Sequence, residues 1–172
     1  VLDGSVPVQA GTPGILAVSR DDPGLFLGYY NDPEATAGKF AGQWYLTGDT
    51  AQMDADGAVT YLGRSDDMMN AGGYRVSPLE VEAAMAAFPG ISDCAAVEHE
   101  VKSGARIIAL AYVSDNPLPD DALAGFAAQT LARYKQPRLW HPVVALPRNA
   151  NGKINRRALR QMLAAPSPLP LK

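Results

Sequence analysis

Cysteine is nearly absent. Cys94 is the only one in 172 residues, so no disulfide can form within the chain. That fits a reducing compartment, and we expect a cytoplasmic protein. Long apolar runs are missing too. None approaches the roughly 20 residues a helix needs to cross a bilayer, and the N-terminus lacks the basic-then-apolar pattern of a secretion signal. Histidine is scarce, and neither His99 nor His141 has partners at a spacing that would make a metal site or a general base. Excess charge of one sign is also lacking. Fifteen Lys and Arg stand against 18 Asp and Glu, a net charge of −3, which argues against a nucleic-acid partner. The chain opens on Val1, and residues 1–13 read like the middle of a longer protein.

What is present is a globular composition, 47% hydrophobic and 19% charged. Gly14–Ser19 is a short apolar run after a turn and reads as a strand. Asn31 or Asp32 caps a short helix with Pro33 at its first position. Trp44–Thr47, Ala51–Met53 and Ala58–Leu62 read as strands, the last two joined by a turn at Asp54-Ala-Asp-Gly57. That turn lacks the later acidic ligands of a calcium loop. Beyond Arg64 the pattern changes. Ser77-Pro-Leu-Glu80 is a capping box, and Val81, Ala84, Met85 and Phe88 recur at helical spacing. Strands are expected over Ile91–Val97, Ile107–Val113 and Trp140–Leu146, with helices over Asp120–Leu131 and Asn155–Leu163. Cys94 reads as core.

The fold class expected is therefore α+β. A β-rich segment over 1–64 leads through 65–66 into a small α/β domain over 67–164. That domain has a short mixed or antiparallel sheet flanked by helices, and a Pro-rich tail at 165–172 follows it.

Three segments carry residues suited to chemistry. In Tyr45-Leu-Thr-Gly-Asp49, glycine lets the backbone turn and leaves a carboxylate exposed, which can cap a turn or accept the hydroxyls of a ribose. In Gly63–Arg75 (GRSDDMMNAGGYR), Arg64 can return beside Asp49 across a hairpin, and Gly72-Gly73 permit close approach of a ligand to the backbone. In Pro147-Arg-Asn-Ala-Asn-Gly-Lys153, the Asn-Gly turn can project the Lys153 ammonium, either into solvent or between two anionic groups. The following Arg156, Arg157 and Arg160 read as a solvated face, with contact to a phosphate as the other reading.

Taken together and in order, with Tyr134-Lys-Gln-Pro137 between them, these segments resemble the signature motifs of the superfamily of acyl-CoA synthetases, peptide-synthetase adenylation domains and luciferases. The resemblance runs from about residue 14 to 163. It implies a two-step reaction. A carboxylate attacks the α-phosphate of ATP to give acyl-AMP and pyrophosphate, and a thiol, CoA, then displaces AMP. Carried over residue by residue, it makes Asp49 the ribose ligand, Arg64 a second nucleotide contact and Tyr61 the ring beside adenine. Asp66 becomes the hinge of a mobile lid, Gly72 and Gly73 the lining of the pantetheine channel, and Lys153 the catalytic lysine of the first step. Mg²⁺ is expected on the ATP phosphates. Asn70 stands where many members have Lys, and no role is carried over to it.

The main ATP-binding domain of such an enzyme is not in these residues, so the chain alone is expected to be inactive. Two alternatives remain open: an adenylation domain that loads a carrier protein, and a folded module without catalysis. The spacing of Pro147 and Gly152-Lys153 also resembles a motif modified by protein acetyltransferases, which makes such an enzyme a candidate partner at Lys153.

Overall fold

Gly, Pro and Asp punctuate the first 66 residues so often that most of the strands there are short. In the computed structural model, which describes residues 1–102 and 104–164, these are β1 (Leu2–Asp3), β2 (Val6–Pro7), β3 (Gly14–Ser19), β4 (Phe40–Ala41), β5 (Trp44–Met53) and β6 (Val59–Arg64). All pair antiparallel in the order β2-β1-β3-β5-β4, with β6 also on β5. Residues 1–13, left without elements by sequence reasoning, thus contribute two short strands anchored by buried Leu2. Helix α1 (Pro33–Ala37) begins as expected, with the Asp32 carboxylate accepting from the Ala35 N–H at 2.9 Å.

One expectation changes here. The two strand segments around Thr-Gly-Asp are a single strand, β5, with a register shift between Thr50 and Ala51. Asp49 lies within that strand rather than at its end, directly opposite Arg64.

The chain passes into a second compact unit after Asp66. Its order is β7 (Met69–Ala71), β8 (Tyr74–Val76), α2 (Pro78–Met85), β9 (Asp93–Lys102), β10 (Ala105–Val113), α3 (Asp120–Thr130), a 3₁₀ turn (Arg133–Lys135), β11 (Leu139–Pro142) and α4 (Arg156–Ala164). β9 and β10 are antiparallel, and β11 joins β10 in parallel after the α3 crossover, so the sheet is mixed as expected. Its strands are apolar on both faces because both are covered. Cys94, Ala96, Ile108, Leu110 and Tyr112 point to α2 and α3, where Val81, Met85, Leu123 and Ala127 meet them. Ala95, Val97, Ala109 and Ala111 point the other way, against Leu159 and Leu163 of α4.

Helix α2 starts at the capping Ser77, whose hydroxyl accepts from the Glu80 N–H at 3.4 Å. The Glu80 carboxylate also binds the Lys135 ammonium at 2.5 Å, which ties the first turn of α2 to the 3₁₀ turn. β7 and β8 lie where sequence reading assigned no element. β9 runs on to Lys102, beyond the apolar stretch that marked it. The strand at Trp140 stops at Pro142, short of the Leu146 expected, with one further bond from the Val143 N–H to the Tyr112 carbonyl at 2.9 Å. The proposed tail over 165–172 lies outside the described residues.

Candidate functional site

In the first unit, four of the singled-out residues converge. Arg64 reaches across from β6, donating from Nη1 to Asp49 Oδ1 at 3.0 Å and to the Thr47 carbonyl at 3.2 Å. Its Nε lies 3.5 Å from Asp66 Oδ1. Burial works against the guanidinium's charge, but bonding to Asp49 outweighs it and Arg64 is held above its ordinary pKa. Gly48 makes this possible. Its φ is +81°, which favours glycine, and a Cβ there would sit 2.8 Å from Arg64 Nη2 and push the guanidinium from its present place. The Thr47 hydroxyl accepts from the Asp49 N–H at 3.0 Å and donates to the Leu16 carbonyl at 2.8 Å, fixing the turn of backbone that presents the carboxylate. Tyr61, in β6, leaves its ring 53% exposed beside this pair. The result is a carboxylate and a guanidinium at a half-exposed strand pair, with an aromatic ring alongside.

In the second unit the Gly72-Gly73 pair is the turn of a β-hairpin, with Ala71 opposite Tyr74 and Asn70 opposite Arg75. The φ values of +57° and +84° are those of a type I′ turn, which L side chains adopt poorly. No atom lies within 4 Å of a Cβ built at either position. Backbone conformation, not crowding, therefore demands glycine here, and the open side leaves room for a ligand. Next to Gly72, Tyr74 stacks on Tyr134 with ring centroids 4.4 Å apart. The two tyrosines and Arg106, Arg133 and Arg138 line a cavity of about 500 Å³.

Lys153 stands on a loop held from several sides. The Asn149 side-chain oxygen accepts from the N–H groups of Asn151 and Lys153, both at 3.0 Å. The Asn149 N–H donates to the Lys153 carbonyl at 2.8 Å, and Gly152 takes φ +78° to close the turn. Arg148 straps the loop down, donating to the Gly152 carbonyl at 2.8 Å and to Asp93 Oδ2 at 2.6 Å. The base of the lysine is thus fixed while its side chain is exposed. Among the described residues no carboxylate lies in ion-pair range of it.

Sequence reasoning misread the basic run behind Lys153. Arg156 is 8% exposed and forms a two-pronged pair with Glu82, at 2.6 and 3.1 Å, with Asp67 3.6 Å from its Nε. Arg160 reaches Asp67 at 3.6 Å as well. Burial raises the pKa of Glu82, and Arg156 and the Ala96 N–H partly offset that rise. The solvated-face reading holds for neither Arg156 nor Arg160. The missed signal was Glu82 itself, a charge on the helix between apolar Val81 and Ala84. Cys94 is buried, as expected, and burial pushes its thiol up to about 12.

Among the described residues no helix is long and apolar enough to cross a membrane, and no three His, Cys, Asp or Glu are grouped to hold a metal.

Residues 80–153 match the family model described as AMP-binding enzyme C-terminal domain. The chain is 38% identical over 162 residues to the 4-chlorobenzoate–CoA ligase of Arthrobacter sp., covering 94% of this chain and 31% of that one. It is 33% identical to the anthranilate CoA ligase AuaEII solved with anthranoyl-AMP, with a TM-score of 0.81 over 94% of this chain and 32% of that one. It is 25% identical to the o-succinylbenzoate CoA synthetase of Bacillus subtilis solved with its acyl-adenylate, with a TM-score of 0.84 over 96% and 33%. The chain spans about a third of the length of the relatives it matches. By sequence and by fold, the chain matches the C-terminal portion of AMP-binding, adenylate-forming enzymes, with residues 80–153 matching the model of their C-terminal domain.

Proposed function

We propose that the protein carrying this chain is a cytoplasmic, ATP-dependent acyl- or aryl-CoA ligase that makes an acyl-adenylate and then a CoA thioester. One observation carries the reading. Lys153 and the Gly72-Gly73 hairpin are tied to opposite faces of the same strand. Arg148 straps the lysine loop to Asp93, on the face of β9 that packs on α4. The hairpin is tied through Asn70 to Glu98, on the face that packs on α2 and α3. Five residues at about 3.3 Å per residue also separate the two anchors by roughly 17 Å along the strand. We read two elements so anchored on one sheet as serving the reacting carbon in turn rather than together. A unit that turns can present them in succession, as two chemically different steps require. Asp66, where the chain leaves the first unit, is the residue we assign as pivot.

In the first step the Asp49 carboxylate accepts the ribose hydroxyls of ATP, Arg64 holds Asp49 and the nucleotide, and Tyr61 lies against adenine. The Lys153 ammonium offsets the repulsion between substrate carboxylate and α-phosphate as the new P–O bond forms and pyrophosphate leaves. Magnesium would accompany the ATP phosphates. The described residues offer it no cluster of ligands, and no step is assigned to it. In the second step the CoA thiolate attacks the acyl carbon and AMP departs, with Gly72 and Gly73 lining the thiol's path. The cavity beside Gly72 favours CoA over a carrier protein as acceptor. Its three guanidinium groups suit a ligand with several phosphates, and its stacked tyrosines suit a base.

Pyrophosphate exchange into ATP by the full-length protein, screened over acetate, medium-chain fatty acids and benzoates, tests the reading. Carboxylate-dependent exchange followed by CoA-dependent AMP release supports it. Exchange with no thioester product overturns the choice of CoA.

Lys153 is also the proposed target of a protein acetyltransferase. Acetylation removes the ammonium charge on which the first step depends, and the exposed loop is reachable. Mass-spectrometric mapping after treatment with acetyltransferase and acetyl-CoA decides this. Modification of other lysines with Lys153 untouched defeats it.

A further inference from the structure

We infer that Glu98 is a positioning residue for thioester formation, acting through the backbone of Asn70. In a two-residue hairpin the pair closing the turn exchanges the inter-strand bonds, and the next pair turns its N–H groups outward. Here Ala71 and Tyr74 close the turn, so Asn70 and Arg75 form that next pair. Met69, Ala71 and Val76 pack this hairpin into the core, but its outward Asn70 N–H still needs a hold from outside the hairpin.

Glu98 supplies the hold. Its Oε2 accepts from the Asn70 N–H at 2.6 Å, across 28 residues of sequence. Its Oε1 pairs with Arg106 Nη1 at 3.1 Å. Glu98 faces Ile108 and Arg106 faces Glu100 in the β9–β10 ladder, so the two are diagonal neighbours on one face of the sheet. Arg106 thereby fixes the carboxylate that fixes the hairpin. The side chain is 21% exposed, so water competes only partly for the bond. Arg106 also lines the space beside Gly72 and Gly73. Glu98 touches no reacting atom. Its effect is to set where the two glycines stand relative to the sheet.

The inference rests on the proposed thioester chemistry, and the test separates the two. Glu98→Ala and Glu98→Gln are made in the full-length protein, with melting temperatures as a check on folding. Adenylation is followed by pyrophosphate exchange. Transfer is followed by single-turnover reaction of preformed acyl-adenylate with saturating CoA. Glu98→Ala is expected to slow transfer by on the order of 10- to 100-fold, the scale for a small misplacement of a reacting group, and to leave exchange unchanged. Glu98→Gln retains an acceptor for the Asn70 N–H and should recover most of the lost rate. In this chain, Glu98→Ala should speed hydrogen exchange at the Asn70 amide and leave the β9–β10 core amides as they were. Wild-type transfer that Glu98→Ala does not slow overturns the inference alone. A wild type that never transfers acyl groups to CoA overturns the thioester reading beneath it, and the role of Glu98 with it. An Asn70 amide unmoved by Glu98→Ala overturns the tether itself.

Discussion

The polar residues that set the behaviour of the second unit are mostly out of sight at its surface. Arg156 and Glu82 form a pair with most of its area removed from water. Deleting one partner leaves the other charge buried, which typically costs about 3–5 kcal/mol. Arg156→Met should therefore destabilise the chain by about that amount in a denaturant melt at pH 7. The deficit has a definite pH dependence. Burial already raises Glu82 above its ordinary pKa, and loss of the arginine raises it further. The variant should lie closest to wild type below the unfolded carboxyl pKa and fall behind as pH rises through the folded one. Replacing both residues by leucine should recover most of the loss.

Cys94 makes a second prediction at this scale. Its thiol is raised from 9.0 to about 12 by burial, then by Glu82 and Asp93. Its contribution to stability is complete below pH 9.0 and lost as pH rises towards 12. At pH 8 it should resist Ellman's reagent until the chain is unfolded by guanidinium. Fast labelling in buffer would show that the site is not closed.

Among the elements, the β7–β8 hairpin shows best where sequence reasoning stopped. Ser77, Pro78 and Asp32 announce their helices because capping is a local bargain between neighbours three residues apart. Asn149 to Lys153 is legible for the same reason. The hairpin is not. Its strands are Met69–Ala71 and Tyr74–Val76, too short to show alternation, and what holds it is burial of Met69, Ala71 and Val76 in the folded core and a carboxylate 28 residues away. The far half of β9 was hidden similarly, since Glu98 to Lys102 is mostly charged and is held by its ladder with β10. Arg156 looked solvated because only the folded chain brings Glu82 to it. Asp49 and Arg64 were recovered as a pair because a hairpin lies between them, although the strand proved continuous through Asp49. At this scale the turn itself is testable. Gly73→Val forces a β-branched residue to φ +84°, a strain on the order of 1–3 kcal/mol. Hydrogen exchange at β7 and β8 should rise sharply while that of β9 and β10 stays low. Equal protection in both would mean that the hairpin tolerates other backbone geometry.

For the whole molecule, two compact units and a sheet that carries its lysine loop and its glycine hairpin on opposite faces make one argument. On the proposed reading each face serves one half of a two-step reaction, so damage to one should leave the other working. The measurement that tests this most directly is Lys153→Ala in the full-length protein, with the half-reactions followed separately. We predict that acyl-adenylate formation falls by roughly 10²- to 10³-fold, the scale for losing one preorganised electrostatic group. Transfer from supplied acyl-adenylate to CoA should proceed at close to the wild-type rate. Equal loss in both half-reactions, or adenylation at the wild-type rate, would contradict the account.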